Sequence, residues 1–318
     1  MAINPSDTEF AIAVGTATTA VPTAPEFKRL ETIVGSNLNA TADPIVSQTR
    51  RKGRTNAGQR LVNPRVEGTL NTEFVAGDAA MELLLESAFS GKFDEDGLLK
   101  AGTEETNLFV ERKWQDGATS MFTRYAGCVV SEFALNAEFG GIVTADFTML
   151  GLGRIEPSTA APAGAIVPGA TYADASTAEK MAGPDVKNIV IEGLGEVDYS
   201  TLSISIQQAR ETQGKLGSAF ARGIGTSGKT AEVAVSLYRK DFGPESLIKN
   251  GIENPAVRIE FDMTIAGQGY KVIIPAAQPS FPEDAEEGAN QMVNITFAPI
   301  GDADSGTDIM LQRLPVAP

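Results

Sequence analysis

The residues best arranged to do chemistry are GIGTSGKT, 223–230, which match the phosphate-binding loop pattern G-x-x-x-x-G-K-[ST] at every position. In that chemistry Lys229 reaches the phosphates, Thr230 holds magnesium, and the N-terminus of a following helix helps to cradle the anion. The next residues are AEVAVSLY, in which Ala231, Val233, Val235 and Leu237 alternate with Glu232, Ala234 and Ser236. That is the period of a strand, not a helix. LGSAFAR ahead of the motif is not a buried-strand pattern, and no apolar run ending in Asp offers a second magnesium ligand. A Gly-rich turn between strands is the favoured expectation, with a P-loop nucleotide-binding assembly factor as the alternative.

Other chemistry is sparse. The chain has no histidine, the commonest general base and metal ligand. Its one cysteine, Cys128, sits in a strand pattern and cannot pair within the chain, which predicts folding in a reducing cytosol without disulfides or a cysteine metal site. The pairs Glu104-Glu105 and Glu286-Glu287 read as solvated loop residues, and Trp114, at the end of a strand, as core or interface. No catalytic residue, metal or cofactor is expected. RRKGR (50–54), joined by Arg60 and Arg65, is a basic loop in a chain of net charge −15. No aromatic residue interleaves with it, so a stacking platform for single strands is unsupported. Docking against an acidic stretch of another subunit, PEDAEE (282–287) or FDEDG (93–97), and plain solvation both stand ahead of nucleic-acid binding.

The elements that would position any site are mostly strands. Met121 to Gly151 reads as three strands with tight Gly-bearing connections. Val143, Ala145, Phe147 and Met149 share one face while Thr144, Asp146 and Thr148 share the other; Val129, Phe133 and Leu135 likewise oppose Glu132 and Asn136. A second copy lies late in the chain. QMVNITFAPIG (291–301) overlays GIVTADFTMLG (141–151), so that Val143 meets Val293, Phe147 meets Phe297 and Gly151 meets Gly301. LFVERKW (108–114) corresponds to VRIEFDM (257–263), and EGTLNTEF (67–74) to TAEVAVSL (230–237). A duplicated β-rich unit is therefore predicted. The expected fold class is all-β, a β-sandwich or barrel unit occurring twice, with one short helix per repeat. The first helix is GDAAMELLLESAFSG (77–91), with Met81, Leu84, Leu85, Ala88 and Phe89 on one face, Asp78 as N-cap and Gly91 as C-cap. The second is the shorter FGPESLIKNG (242–251).

Four segments are expected: an N-terminal arm, 1–26; a first repeat, 27–151; a Pro-, Ala- and Gly-rich linker, 152–187; and a second repeat, 188–318. Ile45 to Arg65 reads as a polar loop of about twenty residues, long for a compact domain. FPEDAEEGAN (281–290) reads as an acidic loop, and TDIMLQRLPVAP as one more short strand before the end. At 318 residues and 42% apolar content the chain can bury two cores. No run of eighteen apolar residues occurs, and MAINPSDTEF lacks the pattern of a secretory signal.

Taken in order, the basic loop, VEGTLNTEF, GDAAMELLLESAFSGKF, LLKAGTEETNLFVERKW and FTRYAGCVVSEFALNAEFGGIVTADFTMLG resemble tail tube proteins of long-tailed, non-contractile (siphovirus-like) bacteriophages. The resemblance continues through LSISIQQARETQGKLGSAFARGIGTSGKTAEVAVSLY to YKVIIPAAQPSFPEDAEEG, over residues 27 to 300. It implies a β-sandwich with a flanking helix, related to the tube of type VI secretion systems. Subunits would close into rings with a continuous inner β-barrel and stack into a hollow tube through which duplex DNA is ejected without specific binding. The stretch matching Ile45 to Arg65 would reach the neighbouring ring, which makes Arg50, Arg51, Lys52, Arg54 and Arg60 candidate inter-ring contacts. Other implied partners are the tape measure, tail terminator and distal tail proteins, with no membrane; the implied location is the virion tail, assembled in the host cytoplasm. Two repeats per chain would let three chains supply six equivalent positions, with a six-chain ring as the alternative. Glu67, Glu73 and Glu232, on polar strand faces, are candidate lumen residues. A monomeric two-domain β-sandwich adhesin is the remaining alternative.

Overall fold

A computed structural model describes residues 8–47, 58–116, 119–158, 167, 169–218 and 220–314. The fold is all-β, with eighteen strands among the described residues. In chain order these are β1 (Thr8–Val14), β2 (Glu26–Leu30), β3 (Asn37–Val46), β4 (Gln59–Glu73), helix α1 (Ala79–Phe89), β5 (Leu98–Lys100), β6 (Leu108–Asp116), β7 (Thr119–Glu138), β8 (Thr144–Gly151), β9 (Gly153–Ser158) and β10 (Thr171–Ala173). Next come β11 (Val186–Ile191), β12 (Tyr199–Gln213), β13 (Gly223–Tyr238), β14 (Val257–Ile265), β15 (Gln268–Pro279), β16 (Glu283–Glu287), β17 (Asn290–Pro299) and β18 (Met310–Leu314).

One pairing scheme occurs twice. β4 pairs with β8 so that Leu70 faces Phe147, and β13 pairs with β17 so that Val233 faces Phe297. Both offsets are those read from the sequence overlay. The hairpin β3–β4 has its counterpart in β12–β13, and β6–β7 in β14–β15. Even the irregularities recur, with a register shift between Leu108 and Val110 in one hairpin and between Val257 and Ile259 in the other. Outer strands repeat as well: β1 lies on β6 as β11 lies on β14, and β9 on β7 as β18 on β15.

The two units share an eight-stranded antiparallel sheet in the order β3-β4-β8-β7-β12-β13-β17-β16. Two further sheets pack on its apolar face: β10-β2-β1-β6-β7-β9, and β11-β14-β15-β18-β5. The core between them is continuous across both units, including Leu70, Phe133 and Phe147 from the first and Val233, Phe261 and Phe297 from the second. Each such side chain removed from water contributes about 1.5–3 kcal/mol before entropy is counted.

Several sequence expectations are corrected. The three strands expected over 121–151 are two, because β7 runs unbroken for twenty residues. Gly127, at φ 60°, lets it bend from one sheet into another where an L side chain would be strained. Within the expected loop Ile45 to Arg65 the described residues extend a two-stranded ribbon in which Asp43–Val46 pair with Gln59–Val62, and 48–57 lie outside the described residues. The acidic stretch at 283–287 is strand β16, not a loop. Helix α1 begins as expected, with the Asp78 carboxylate accepting from the Ala80 and Met81 amides at 2.9 Å. It ends on Ser90, not Gly91, in the left-handed conformation. The second repeat keeps only a single 3-10 turn, Pro244–Leu247, where a helix was expected. Its apolar stripe is reduced to Leu247 and Ile248, too little to hold a full helix.

Residues 8–14, in the expected arm, form β1 with Phe10 and Ile12 in the core. Within the expected linker, β9 and β10 join the outer sheet and Met181 is fully buried. Tyr172 stacks on Phe27 at 5.0 Å and donates to Glu111 at 2.7 Å. Glu111 is paired in turn with the buried Arg124 at 2.6 Å.

Candidate assembly surface

The polar face of the eight-stranded sheet is set by strict alternation. Leu70 and Thr72 turn to the core, so Glu67, Thr69, Asn71 and Glu73 turn away from it. Val233 and Val235 are buried, so Glu232, Ala234 and Ser236 face the same side. Glu67, Glu73 and Glu232 therefore lie on one continuous surface. Thr69 and Thr148 hydroxyls meet across it at 3.2 Å, and Gln207 donates to Glu132 at 3.3 Å across the joint between the units. Asp146 lies on this face, and partial burial raises its carboxyl above the usual range. Arg65, at the end of this face, binds Asp43 at 2.8 Å and Glu67 at 2.6 Å. Hydrogen bonds from Arg65 and then Asn63 hold the Asp43 carboxyl below its usual range.

The sheet has two outer edges. Among the described residues no strand pairs with the far side of β3 or of β16. Beyond the sheet project two ribbons. In β3–β4 the outermost residues pair only with each other, and Ile45, Val46 and Leu61 are exposed there. In β12–β13 the ladder likewise runs past β7 and β17, out to Gln213 paired with Gly223. Arg60 is exposed on the first ribbon; Arg50, Arg51, Lys52 and Arg54 lie outside the described residues.

The phosphate-loop motif is not assembled. GIGTSGKT is itself extended, as the start of β13, and AEVAVSLY continues the same strand. Lys229 pairs with Asp308 at 2.5 Å, and no helix N-terminus comes after it to receive a phosphate. The favoured turn is displaced too: the Gly-rich residues form a ribbon arm. Sequence inspection also missed Arg210. Its side chain is buried and donates to Val130 O at 2.6 Å, Ser87 O at 3.1 Å and Ser90 Oγ at 2.8 Å. It also pairs with Glu105 at 2.6 Å, so this exposed loop carboxylate serves as the counter-charge of a buried arginine. The signal was an arginine at an inward position of the alternating strand LSISIQQAR.

Among the described residues the chain thus presents paired sheets with one polar face, two outer edges and two projecting ribbons. A family model described as phage tail tube protein matches residues 6–300. The chain belongs to that family, which is structural and not enzymatic. Membership implies a component of the virion tail that assembles with itself and with other tail proteins. No curated protein matched the chain. Among the described residues no helix is long and apolar enough to cross a membrane.

Proposed function

We propose that the chain closes into rings of three that stack into the hollow tail tube of a long, non-contractile tail. Six pseudo-equivalent units surround a lumen through which duplex DNA is ejected. The observation that carries this is the joint between the units. β7 and β12 pair from Glu138–Thr201 to Glu132–Gln207, so the second unit already continues the sheet of the first. Repeating that joint between chains brings β3 of one chain to the β15–β16 edge of the next and leaves no open edge. Val34, which by the pairing scheme corresponds to Leu202, is 73% exposed where Leu202 is 2% exposed. Phe281, at the break between β15 and β16, is also exposed. Both side chains lie where such a joint would form.

The polar sheet face then lines the lumen. Glu67, Glu73, Glu132, Asp146 and Glu232 give it negative charge, which keeps DNA from adhering on its way through. The basic loop with Arg50, Arg51, Lys52, Arg54 and Arg60 reaches the adjacent ring. Tape measure, tail terminator and distal tail proteins complete the tail, which is assembled in the host cytoplasm. Electron microscopy of the purified protein at rising concentration, with mass from light scattering, tests the proposal. Hollow tubes built of rings three times the 33.4 kDa chain mass are expected. Rings of six chains would overturn the pseudo-six-fold arrangement. A particle that stays monomeric with purified tail initiator present would overturn the tube itself.

A further inference from the structure

We propose that Asn250-Gly251 is a site of spontaneous covalent modification, at which the asparagine of the folded protein deamidates to aspartate and isoaspartate. Of the asparagines in the chain, only Asn250 is followed by glycine. The reaction is a ring closure. The Gly251 backbone nitrogen attacks Asn250 Cγ, a C–N bond forms, and the Cγ–Nδ2 bond breaks. The Gly251 N–H proton passes to solvent base, and Nδ2 leaves as ammonia. Water then opens the five-membered succinimide at either carbonyl. One opening gives aspartate; the other reroutes the backbone through the side chain and gives isoaspartate. Water is the only co-reactant consumed. Carrying both reacting atoms on adjacent residues supplies the proximity that such a closure needs.

The fold leaves this pair reactive. Asn250 and Gly251 stand in left-handed backbone, at φ 51° and 74°, which this dipeptide adopts readily in tight turns. Lys249 and Glu253 close the turn by exchanging backbone hydrogen bonds of 2.7 and 2.8 Å, as an isolated bridge outside the strands. Lys249 to Glu253 are all exposed, Ile252 at 82%, so no packing resists the local opening that ring closure requires. The nucleophile itself, the Gly251 N–H, has no hydrogen-bond partner among the described residues. At Asp96-Gly97 the corresponding nitrogen is occupied, donating to Asp94 O at 3.0 Å. Asn250 Nδ2 donates to Glu253 Oε1 at 2.9 Å, a bond that holds the leaving group and not the attacking nitrogen.

The product differs from its parent in charge at one place. A carboxylate replaces the Nδ2 donor facing Glu253, attraction becomes repulsion, and the Lys249–Glu253 bridge loosens. The counterpart of this corner in the first unit is Ser90-Gly91 at the end of α1. There Ser90, also left-handed at φ 49°, accepts from the buried Arg210 at the joint between the units. The modified corner thus occupies, in the second unit, the place that holds the joint in the first. The chemistry does not depend on the tube reading, since a free subunit carries the whole turn.

The test incubates the purified wild-type protein over a series of rising pH and follows every asparagine by peptide mass spectrometry, with the urea-unfolded chain in parallel. The mass gain of an amide-to-acid change, with release of ammonia, is expected first in the peptide that carries Asn250. Its rate should rise with pH and stay within about tenfold of the rate in urea, because the turn opens locally at little cost. Asn250→Gln should abolish the conversion, since closure would then need a six-membered ring. Gly251→Ala should slow it in the native protein and in urea alike, a result that does not depend on how the variant folds. A native rate further below the unfolded rate than that would show that the turn protects Asn250 and overturn the proposal. Earlier conversion at another asparagine, or a rate indifferent to pH, would overturn it too. None of these outcomes bears on whether rings or tubes form.

Discussion

The Arg210 guanidinium on β12 lies 2.6 Å from the Glu105 carboxylate, tying the first long strand of the second unit to the segment after β5 in the first. Burial lowers the Arg210 pKa, and Glu105 opposes that shift by charge and hydrogen bonding. A buried cation without its counter-ion is costly even when carbonyls remain around it. Glu105→Ala is therefore expected to destabilise the chain by about 2–3 kcal/mol in urea unfolding, less than a fully buried pair because Glu105 is partly exposed. Arg210→Met combined with Glu105→Ala should cost less than the two single losses added together, by about 1 kcal/mol or more. Additive losses would show that the pair is not coupled.

Gly127 permits β7 to serve two sheets. A β-carbon there would sit 2.7 Å from Leu152 Cδ1, at a backbone φ of 60°. Gly127→Ala is expected to lower stability by about 1–3 kcal/mol, measured by thermal or urea unfolding. Gly140, also at positive φ but with open space around it, should respond less to the same change.

Cys128 is a buried thiol whose pKa burial pushes up to about 12. At pH 8 it should remain a thiol and resist a disulfide reagent in the native protein. Its labelling should appear only as the chain unfolds, with a rate that tracks unfolding across a denaturant series. Rapid labelling in native buffer would contradict its full burial beside Gly151.

Asp146 has its carboxyl raised by partial burial. A folded-state value above the unfolded one means that its favourable contribution is complete below the unfolded pKa. That contribution is lost as pH rises through the folded pKa. Asp146→Asn should therefore be more stable than wild type at pH 7, and that advantage should disappear at pH 3. Thermal unfolding at the two pH values measures it. An equal shift at both values would point to packing, not charge.

Strand alternation made the two polar faces and the duplicated unit legible in the sequence, because a half-buried strand must place its apolar residues two apart. The overlays at Phe147 and Phe297, and at Leu70 and Val233, proved to be pairing partners in both units. Helix α1 was legible for the same kind of reason, through its apolar spacing and the Asp78 cap. Local pattern could not tell the paired Asp43–Val46 and Gln59–Val62 from loop, since paired and unpaired polar backbone have the same composition. Nor could it see that GIGTSGKT would be extended: the pattern is met by residue type, whereas phosphate binding needs a helix that β13 replaces.

The amino-acid sequence by itself determined the period of each element and the repetition of those periods, both of which depend on near neighbours along the chain. Which edges stay open, how β7 joins β12, and where Glu105 finds Arg210 were decided only by tertiary structure. These depend on contacts between residues far apart in sequence, such as the 105 positions that separate Arg210 from Glu105. The free energy of such contacts comes from burial that no local segment can provide.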